Sequence, residues 1–430
     1  MKGVFKSIVV RILTAEAAML LRRHKPTVVA VTGSVGKTST KDAIYAAIKN
    51  DVYARKSQKS FNSEIGVPLT VLGLPNAWSN PFLWLRNIID GFYTAAFTRK
   101  YPDVLVLETG IDRPGDMEKL TQWLKPDIVV LTRLPAVPVH VEYFASPDAI
   151  VAEKMRLVSA LREGGKLIYN NDDTTIQANL TDVRQQRIGF GRYLETNFTA
   201  RGDRVVYKDD VPVGVEFSVE YESQKHKVFV PDTVGTQHVY SCSAAVAVAV
   251  ELGVSIERAV TALQSIEAPK GRMRIISGIK GTTLIDDTYN SSPIATEHAL
   301  QALGELKHAK RKIAVLGDML ELGKYSTSEH KRIGEMVPEV ADILFTVGVR
   351  ARQIAEGALA AGLSDKTVFQ YDDVMRAGRE LQNFLEPGDV VLVKASQGIR
   401  AERIVEEVMA EPERASKLLV RQEDMWRNIA

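Results

Sequence analysis

Hydrophobic positions fall in two rhythms along this chain. Short unbroken β-branched and leucine runs recur at Val28–Val31, Asp103–Glu108, Asp127–Thr132 and Gly165–Tyr169. Such runs predict strands covered on both faces, as in a parallel sheet. Between them lie stretches with helical spacing: Ser39–Lys49, with Ile44, Ala47 and Ile48 on one side, and Ala149–Leu161. This alternation predicts a doubly wound α/β unit. Residues 185–235 switch to period two (Arg204–Tyr207, Val215–Val219, Lys227–Val230), predicting a small antiparallel β insertion. An Ala-rich helical region, Gly235–Leu263, follows, with Cys242 as a small packing residue.

After a hinge at Pro269–Met273 the first rhythm resumes. Strands are predicted at Thr283–Asp287, Lys312–Leu316, Ile343–Val347 and Val390–Val393, with a helix over Ala295–Leu306. This is a second, Rossmann-like α/β unit; without G-x-G-x-x-G it is not read as an NAD site. The division expected is 1–25, 26–270 and 271–430. Residues 76–100 carry Trp78, Phe82, Trp84, Phe92, Tyr93 and Phe97, read as helix and core. Residues 1–25 read as a basic amphipathic helix, with Val4, Phe5, Ile8, Val9, Ile12 and Leu13 at helical spacing and Lys2, Lys6, Arg11, Arg22, Arg23 and Lys25 as its charge. Such a helix packs on its own unit or lies against an anionic membrane surface, a peripheral contact.

Composition narrows the class. The 430 residues are 45% hydrophobic and 25% charged, enough for a large core in two or three domains. A net charge of +2 excludes nucleic-acid binding by bulk electrostatics. One cysteine excludes a disulfide framework and fits a reducing, cytoplasmic compartment. No apolar run reaches the length of a membrane span, and no secretory leader is read.

The chemistry concentrates after the first strand. Thr32-Gly33-Ser34-Val35-Gly36-Lys37-Thr38-Ser39 is a strand–glycine turn–Lys-Thr–helix sequence, the grammar of a phosphate-binding loop. Its glycines let backbone N–H groups approach phosphate oxygens. Lys37 would reach the β- and γ-phosphates and Thr38 a Mg²⁺ ion. The loop is shorter than the common pattern, whose first glycine would fall at Val31. Glu108 ends the second strand, at the sheet edge where ligands sit, and is placed to bind the same Mg²⁺.

In order, TGSVGKTS, FNSEIGVP, LETG, HVEYFAS, the helix bearing Lys154, GRM, IDDTYNSSP, LGDMLELG and LVKAS resemble the Mur ligases. The branch that adds D-Ala-D-Ala to a muramoyl tripeptide is the most similar. The resemblance spans about Pro26–Val408. It implies ATP and Mg²⁺ as cofactors and a catalytic set of Lys37, Lys154, His140 and Arg272. Nucleotide contacts are implied for Gly33, Ser34, Val35, Gly36, Lys37, Thr38, Ser39, Arg272, Asp287, Tyr289 and Asn290. Thr38, Glu108, His140 and Lys154 are the implied metal set, Lys154 being carbamylated. Asn62, Ser63, Asp318 and Lys394 are implied at the substrates, a cell-wall peptide precursor and D-Ala-D-Ala or another amino compound. The implied reaction activates a carboxylate as an acyl phosphate, which an amine then attacks. A monomer is expected.

Three departures stand against the pattern. The family's N-terminal UDP-binding domain is not seen before the first strand, which opens the acceptor's identity. The family's H-N-x-x-N segment reads His238-Val239-Tyr240-Ser241-Cys242, which opens adenine selectivity. Thr132–His140 is longer than usual, with Arg133, Pro135 and Pro138. The alternatives weighed are a ligase of folylpolyglutamate type and a nucleotide-binding scaffold without catalysis.

Overall fold

The computed structural model describes residues 3–58, 62, 64–78, 80–423 and 426. Lys2, Phe61 and Ser63, named above, lie outside the described residues, as does the side chain of Val4.

In chain order the first part holds α1 (Gly3–His24), β1 (Thr27–Thr32), α2 (Lys37–Ile48), β2 (Ala54–Lys56), α3 (Gly66–Leu72), α4 (Pro81–Phe97), β3 (Val104–Glu108), α5 (Asp116–Trp123), β4 (Ile128–Leu131), α6 (Pro147–Ser159), β5 (Lys166–Asn170), α7 (Thr174–Ala178), β6 (Gln186–Gly191), β7 (Phe198–Lys208), β8 (Val211–Tyr221), β9 (Gln224–Pro231), α8 (Gln237–Glu251) and α9 (Ile256–Leu263). The second part holds β10 (Arg274–Ser277), β11 (Thr283–Asp287), α10 (Pro293–Glu305), β12 (Lys312–Gly317), α11 (Ser326–Val340), β13 (Ile343–Val347), α12 (Arg352–Ala360), β14 (Val368–Tyr371), α13 (Val374–Phe384), β15 (Val390–Lys394), α14 (Glu402–Val408) and α15 (Ala415–Leu418).

The first nine strands form one sheet in the order β2-β3-β1-β4-β5-β6-β7-β8-β9. Pairing is parallel from β2 through β7 and antiparallel from β7 to β9. The antiparallel strands are therefore the far edge of the main sheet rather than a separate body. Strand side chains alternate between two cores. Val29, Val31, Val104, Val106, Ile128 and Val130 face α2, α8 and α9, whereas Val28, Ala30, Leu105, Leu107, Val129 and Leu131 face the α1, α3 and α6 side. Cover on both faces is why these strands read as unbroken apolar runs. The second sheet, β10-β11-β15-β12-β13-β14, is parallel except for β10. Ile285, Ala314 and Leu316 bury on one of its faces, Leu284, Ile313 and Val315 on the other.

Helix α1 packs inward through Val9, Leu13, Ala17 and Leu20, joining the core formed with α3 and α4. The aromatic segment departs from expectation. Trp84 is buried, but Phe82, Phe92, Tyr93 and Phe97 point outward. Helix α4 is apolar on nearly every side, and periodicity cannot say which side a neighbour covers.

Candidate active site

Sheet order builds the site. Strand β1 lies between β3 and β4, with Val31 opposite Glu108 and Thr32 opposite Leu131. The glycine loop leaving β1 is thus flanked by Glu108 and Thr132, at the carboxyl end of a parallel sheet. Gly33 (φ 146) and Gly36 (φ 86) adopt conformations costly for other residues. The Thr132 hydroxyl donates to Val35 O at 2.6 Å and contacts Thr32 O at 3.2 Å. The Ser34 N–H donates to Arg133 O at 2.7 Å.

Thr38 lies in the first turn of α2 and its hydroxyl donates to Glu108 Oε1 at 3.1 Å. The other carboxylate oxygen, Oε2, is buried without a hydrogen bond, 3.8 Å from the buried Lys41 ammonium. A hydroxyl beside an under-used buried carboxylate is a hard-oxygen donor set that fits Mg²⁺. Lys37 folds over the loop, its Nζ donating to Gly33 O at 2.9 Å.

Lys154 is carried in by α6. Ser146 caps this helix, accepting from Ala149 N, and Pro147 occupies its first turn. Ile150, Val151, Lys154, Leu157 and Val158 share its buried stripe, so an amine lies at an apolar position. Its Nζ donates to Ser34 Oγ at 2.8 Å. Burial, and then the Lys37 charge, push this amine well below the ordinary lysine range.

The second sheet brings further cations. Arg272 follows Gly271, whose φ is 65 and whose added Cβ would lie 2.8 Å from Tyr289 N. The Arg272 guanidinium stacks 4.1 Å from the Tyr289 ring centroid. Its carbonyl is held by His238 Nε2 at 3.2 Å, and His238 also meets Thr233 Oγ1 at 2.6 Å. Burial lowers His238 to about 4, leaving a neutral ring to fasten the Gly271–Met273 turn. Tyr240 of the same segment donates to Asp172 Oδ2, while Val239, Ser241 and Cys242 are buried. Lys394 and Asp287, paired in register at the ends of β15 and β11, form a buried ion pair at 2.6 Å, and Lys394 also donates to Asn290 O. Burial lowers Lys394 despite that partner, and the Arg272 charge adds to the effect.

Lys37, Arg272, Lys394 and the Lys154 amine therefore act on one another in pairs. Lys37 feels Arg272, Lys154 feels Lys37, and Lys394 feels Arg272. Lys37 at a glycine loop and helix N-terminus, with Arg272 acting on it from the second sheet, suits a polyanion.

Beside them opens a cleft of about 950 Å³ between α1, α5 and the loops that carry Asn62, Gly110, His140 and Glu321. Lys6, Arg11 and Thr14 of α1 wall one side, and Asn62, Gly110, Asp112, Arg113, His140 and Glu321 the other. Asn62 O accepts the Gly110 N–H. His140, in the left-handed region at φ 68, approaches Glu321 Oε2 at 2.7 Å and Asp112 Oδ1 at 3.7 Å. His140 thus sits on the cleft with Glu321, while Thr38, Glu108 and Lys154 gather at the loop. Among the described residues no three His, Cys, Asp or Glu side chains are arranged to hold a metal ion. Any ion here therefore draws on the mixed donors named above.

Other sequence-read residues have local duties. Asp318 is buried, and its Oδ1 accepts the Ala351 N–H at 2.7 Å, fixing the loop before α12. Ser39 lies on the buried face of α2. Asn290 Oδ1 accepts from Ser291 N. Sequence reading did not single out Glu321, Lys41 or Arg113, and noted Arg133 only as part of the long Thr132–His140 segment. Arg133 reaches across to His298 of α10 at 2.8 Å. Glu321 lay inside a quoted motif, but its meeting with His140 depends on how the two sheets dock.

Comparison with known proteins agrees in extent. Residues 86–249 match the family model described as Mur ligase middle domain, and residues 271–397 match Mur ligase, glutamate ligase domain. The chain is 30% identical over 404 residues to the UDP-N-acetylmuramoyl-tripeptide–D-alanyl-D-alanine ligase of Mycobacterium leprae, covering 87% of this chain and 71% of that one. With the enzyme of the same name from Bacillus subtilis it shares 29% over 386 residues, 90% of this chain and 76% of the relative. The crystal structure of MurF ligase from Thermotoga maritima in complex with ADP superposes with a TM-score of 0.75 at 25% identity, over 94% of this chain and 84% of that one.

Proposed function

The chain belongs to the Mur ligase family, and from that premise we propose that it is an ATP-dependent carbon–nitrogen ligase of peptidoglycan synthesis, joining D-Ala-D-Ala to a muramoyl-peptide precursor. The observation that carries this reading is the glycine loop at the carboxyl end of β1, with Lys37 folded over it, the Thr38–Glu108 pair beside it and Arg272 acting on Lys37 from the second sheet. Attack of a carboxylate on a triphosphate brings two anions together, and fixed cations offset that repulsion.

In this reading Lys37, the loop N–H groups and Arg272 hold the triphosphate. Thr38 and Glu108 would hold one Mg²⁺ ion, and His140 with a carbamylated Lys154 a second; bound Mg²⁺ supplies charge neutralisation on the phosphates. Tyr289, Asn290 and the Asp287–Lys394 pair line the nucleotide side. The acceptor occupies the cleft at Asn62 and His140, where its carboxylate becomes an acyl phosphate. The amine of the second substrate then attacks the acyl carbon and phosphate leaves. Closure at the Gly271 hinge keeps water from the acyl phosphate. We assign residues 26–270 to the ATP-binding unit and 271–430 to the unit taking the amino compound, with 1–25 as the helix before them. We expect a monomer. The one buried cysteine supports a cytoplasmic setting.

The test is phosphate release with ATP, a muramoyl-tripeptide acceptor and D-Ala-D-Ala, each omitted in turn. Release that requires all three supports the reading. Release indifferent to D-Ala-D-Ala, or absent with every carboxylate acceptor, rejects it.

A further inference from the structure

Helix α4 is docked firmly on one side and bare on the other. Its inner stripe is Trp84, Asn87, Gly91 and Ala95. Trp84 Nε1 donates to Trp78 O, Asn87 Nδ2 donates to Pro75 O, and Gly91 abuts Glu16 of α1. The outer side carries Phe82, Leu85, Ile89, Phe92, Tyr93 and Phe97, each between 57% and 81% exposed. One apolar residue on a surface is ordinary; six large ones along a single helix face are not. None of them lines the cleft.

One end of this face is strongly basic. Arg22 and Arg23 lie in the last turn of α1, Lys25 follows it, Arg99 and Lys100 follow α4, and all five are exposed. Arg23 donates to Ala95 O and Ala96 O, which pins the basic end of α1 to the apolar end of α4. The acidic side chains nearby in sequence are Asp90, paired with Arg86, and Asp103. Among the described residues no helix is long and apolar enough to cross a membrane. An aromatic-rich apolar face edged by cations is the surface that settles into a headgroup layer, with rings at the acyl boundary and cations on phosphates.

We propose that the outer face of α4, with the basic cluster Arg22, Arg23, Lys25, Arg99 and Lys100, docks this protein on an anionic phospholipid surface. Charge sign selects this occupant: the apolar face alone would accept any greasy partner, whereas its basic rim favours a negatively charged one.

The experiment is flotation of the full chain with vesicles of phosphatidylcholine alone or mixed with phosphatidylglycerol. Binding is expected to the mixed vesicles, weaker by about tenfold or more to the neutral ones, and weakened by salt. The triple variant Phe82→Ser, Ile89→Ser, Tyr93→Ser should lose about tenfold or more in partition. Its melting and phosphate release in free solution should be retained. Should that variant fail to fold, the loop variant Arg99→Glu, Lys100→Glu leaves the helix untouched and should lose binding to the mixed vesicles by a similar factor. No flotation of the parent chain overturns the proposal, as does flotation that survives both variants. Concentration-dependent dimerisation abolished by the triple variant also overturns it, since a second copy would then cover the face.

Discussion

His140 Nδ1 lies 2.7 Å from Glu321 Oε2, so the loop after β4 meets the loop after β12 at the edge of the cleft. Both residues hold left-handed backbone conformations, φ 68 and φ 64. The pair is partly exposed, and such pairs contribute about 0–1 kcal/mol to stability. Glu321→Ala should therefore leave the folding free energy within about 1 kcal/mol. It should reduce turnover about tenfold or more by loosening the seam over the acceptor. Phosphate release set beside a denaturant melt checks this; a large stability loss with normal turnover would contradict it.

Lys37→Ala should lower phosphate release by about 10²-fold or more, the scale for removing one fixed donor to transition-state charge. The side chain is only partly buried and donates to Gly33 O and Ser34 O, so folding should survive. Near-normal release would remove the phosphate-binding role.

Burial, and then the Lys37 charge, lower Lys154 well below the ordinary lysine range, which favours the uncharged amine that captures carbon dioxide. Lys154→Ala should abolish turnover, and added short carboxylates should restore part of it by replacing the carbamate oxygen. Failure of every carboxylate to restore activity in a folded variant would count against carbamylation.

Gly33 combines φ 146 with a site where a Cβ would lie 2.0 Å from Thr132 Oγ1. That hydroxyl already contacts two carbonyls and cannot readily turn away. Gly33→Ala should cost about 1–3 kcal/mol of stability and weaken ADP binding by tenfold or so. Calorimetric titration with ADP would reveal either change.

Glu16 is buried against α4, its Oε2 has no hydrogen-bond partner among the described residues, and burial raises the carboxyl from 4.5 to about 7. Between those values the folded chain retains a proton that the unfolded chain has released. Stability is thus highest below pH 4.5 from this group and declines as pH rises through about 7. Glu16→Gln should flatten this slope and stabilise the protein at pH 8 by on the order of 1–3 kcal/mol. Melts from pH 5 to 8 would test it, and parallel curves for the two proteins would refute it.

What could be read from sequence followed what is local. Strands β1, β3 and β4 were legible because both faces are covered and the apolar run is unbroken. The glycine loop was legible because its chemistry is contiguous in the chain. Strands β10 and β14 are short and only partly buried, and their residues carry no clear pattern. The outward aromatics of α4 were misread as core, since helical spacing reports apolarity and not cover. Glu321 and Arg133 gain their contacts only when distant loops dock, which no local pattern encodes.

Arg133 is held at both ends. Its carbonyl accepts the Ser34 N–H of the glycine loop, while its guanidinium contacts His298 of α10. One amino acid thus spans from the turn after β1 to a helix of the second sheet. Under the closure proposed above, rearrangement at His298 would be transmitted to the phosphate cradle without any ligand entering it.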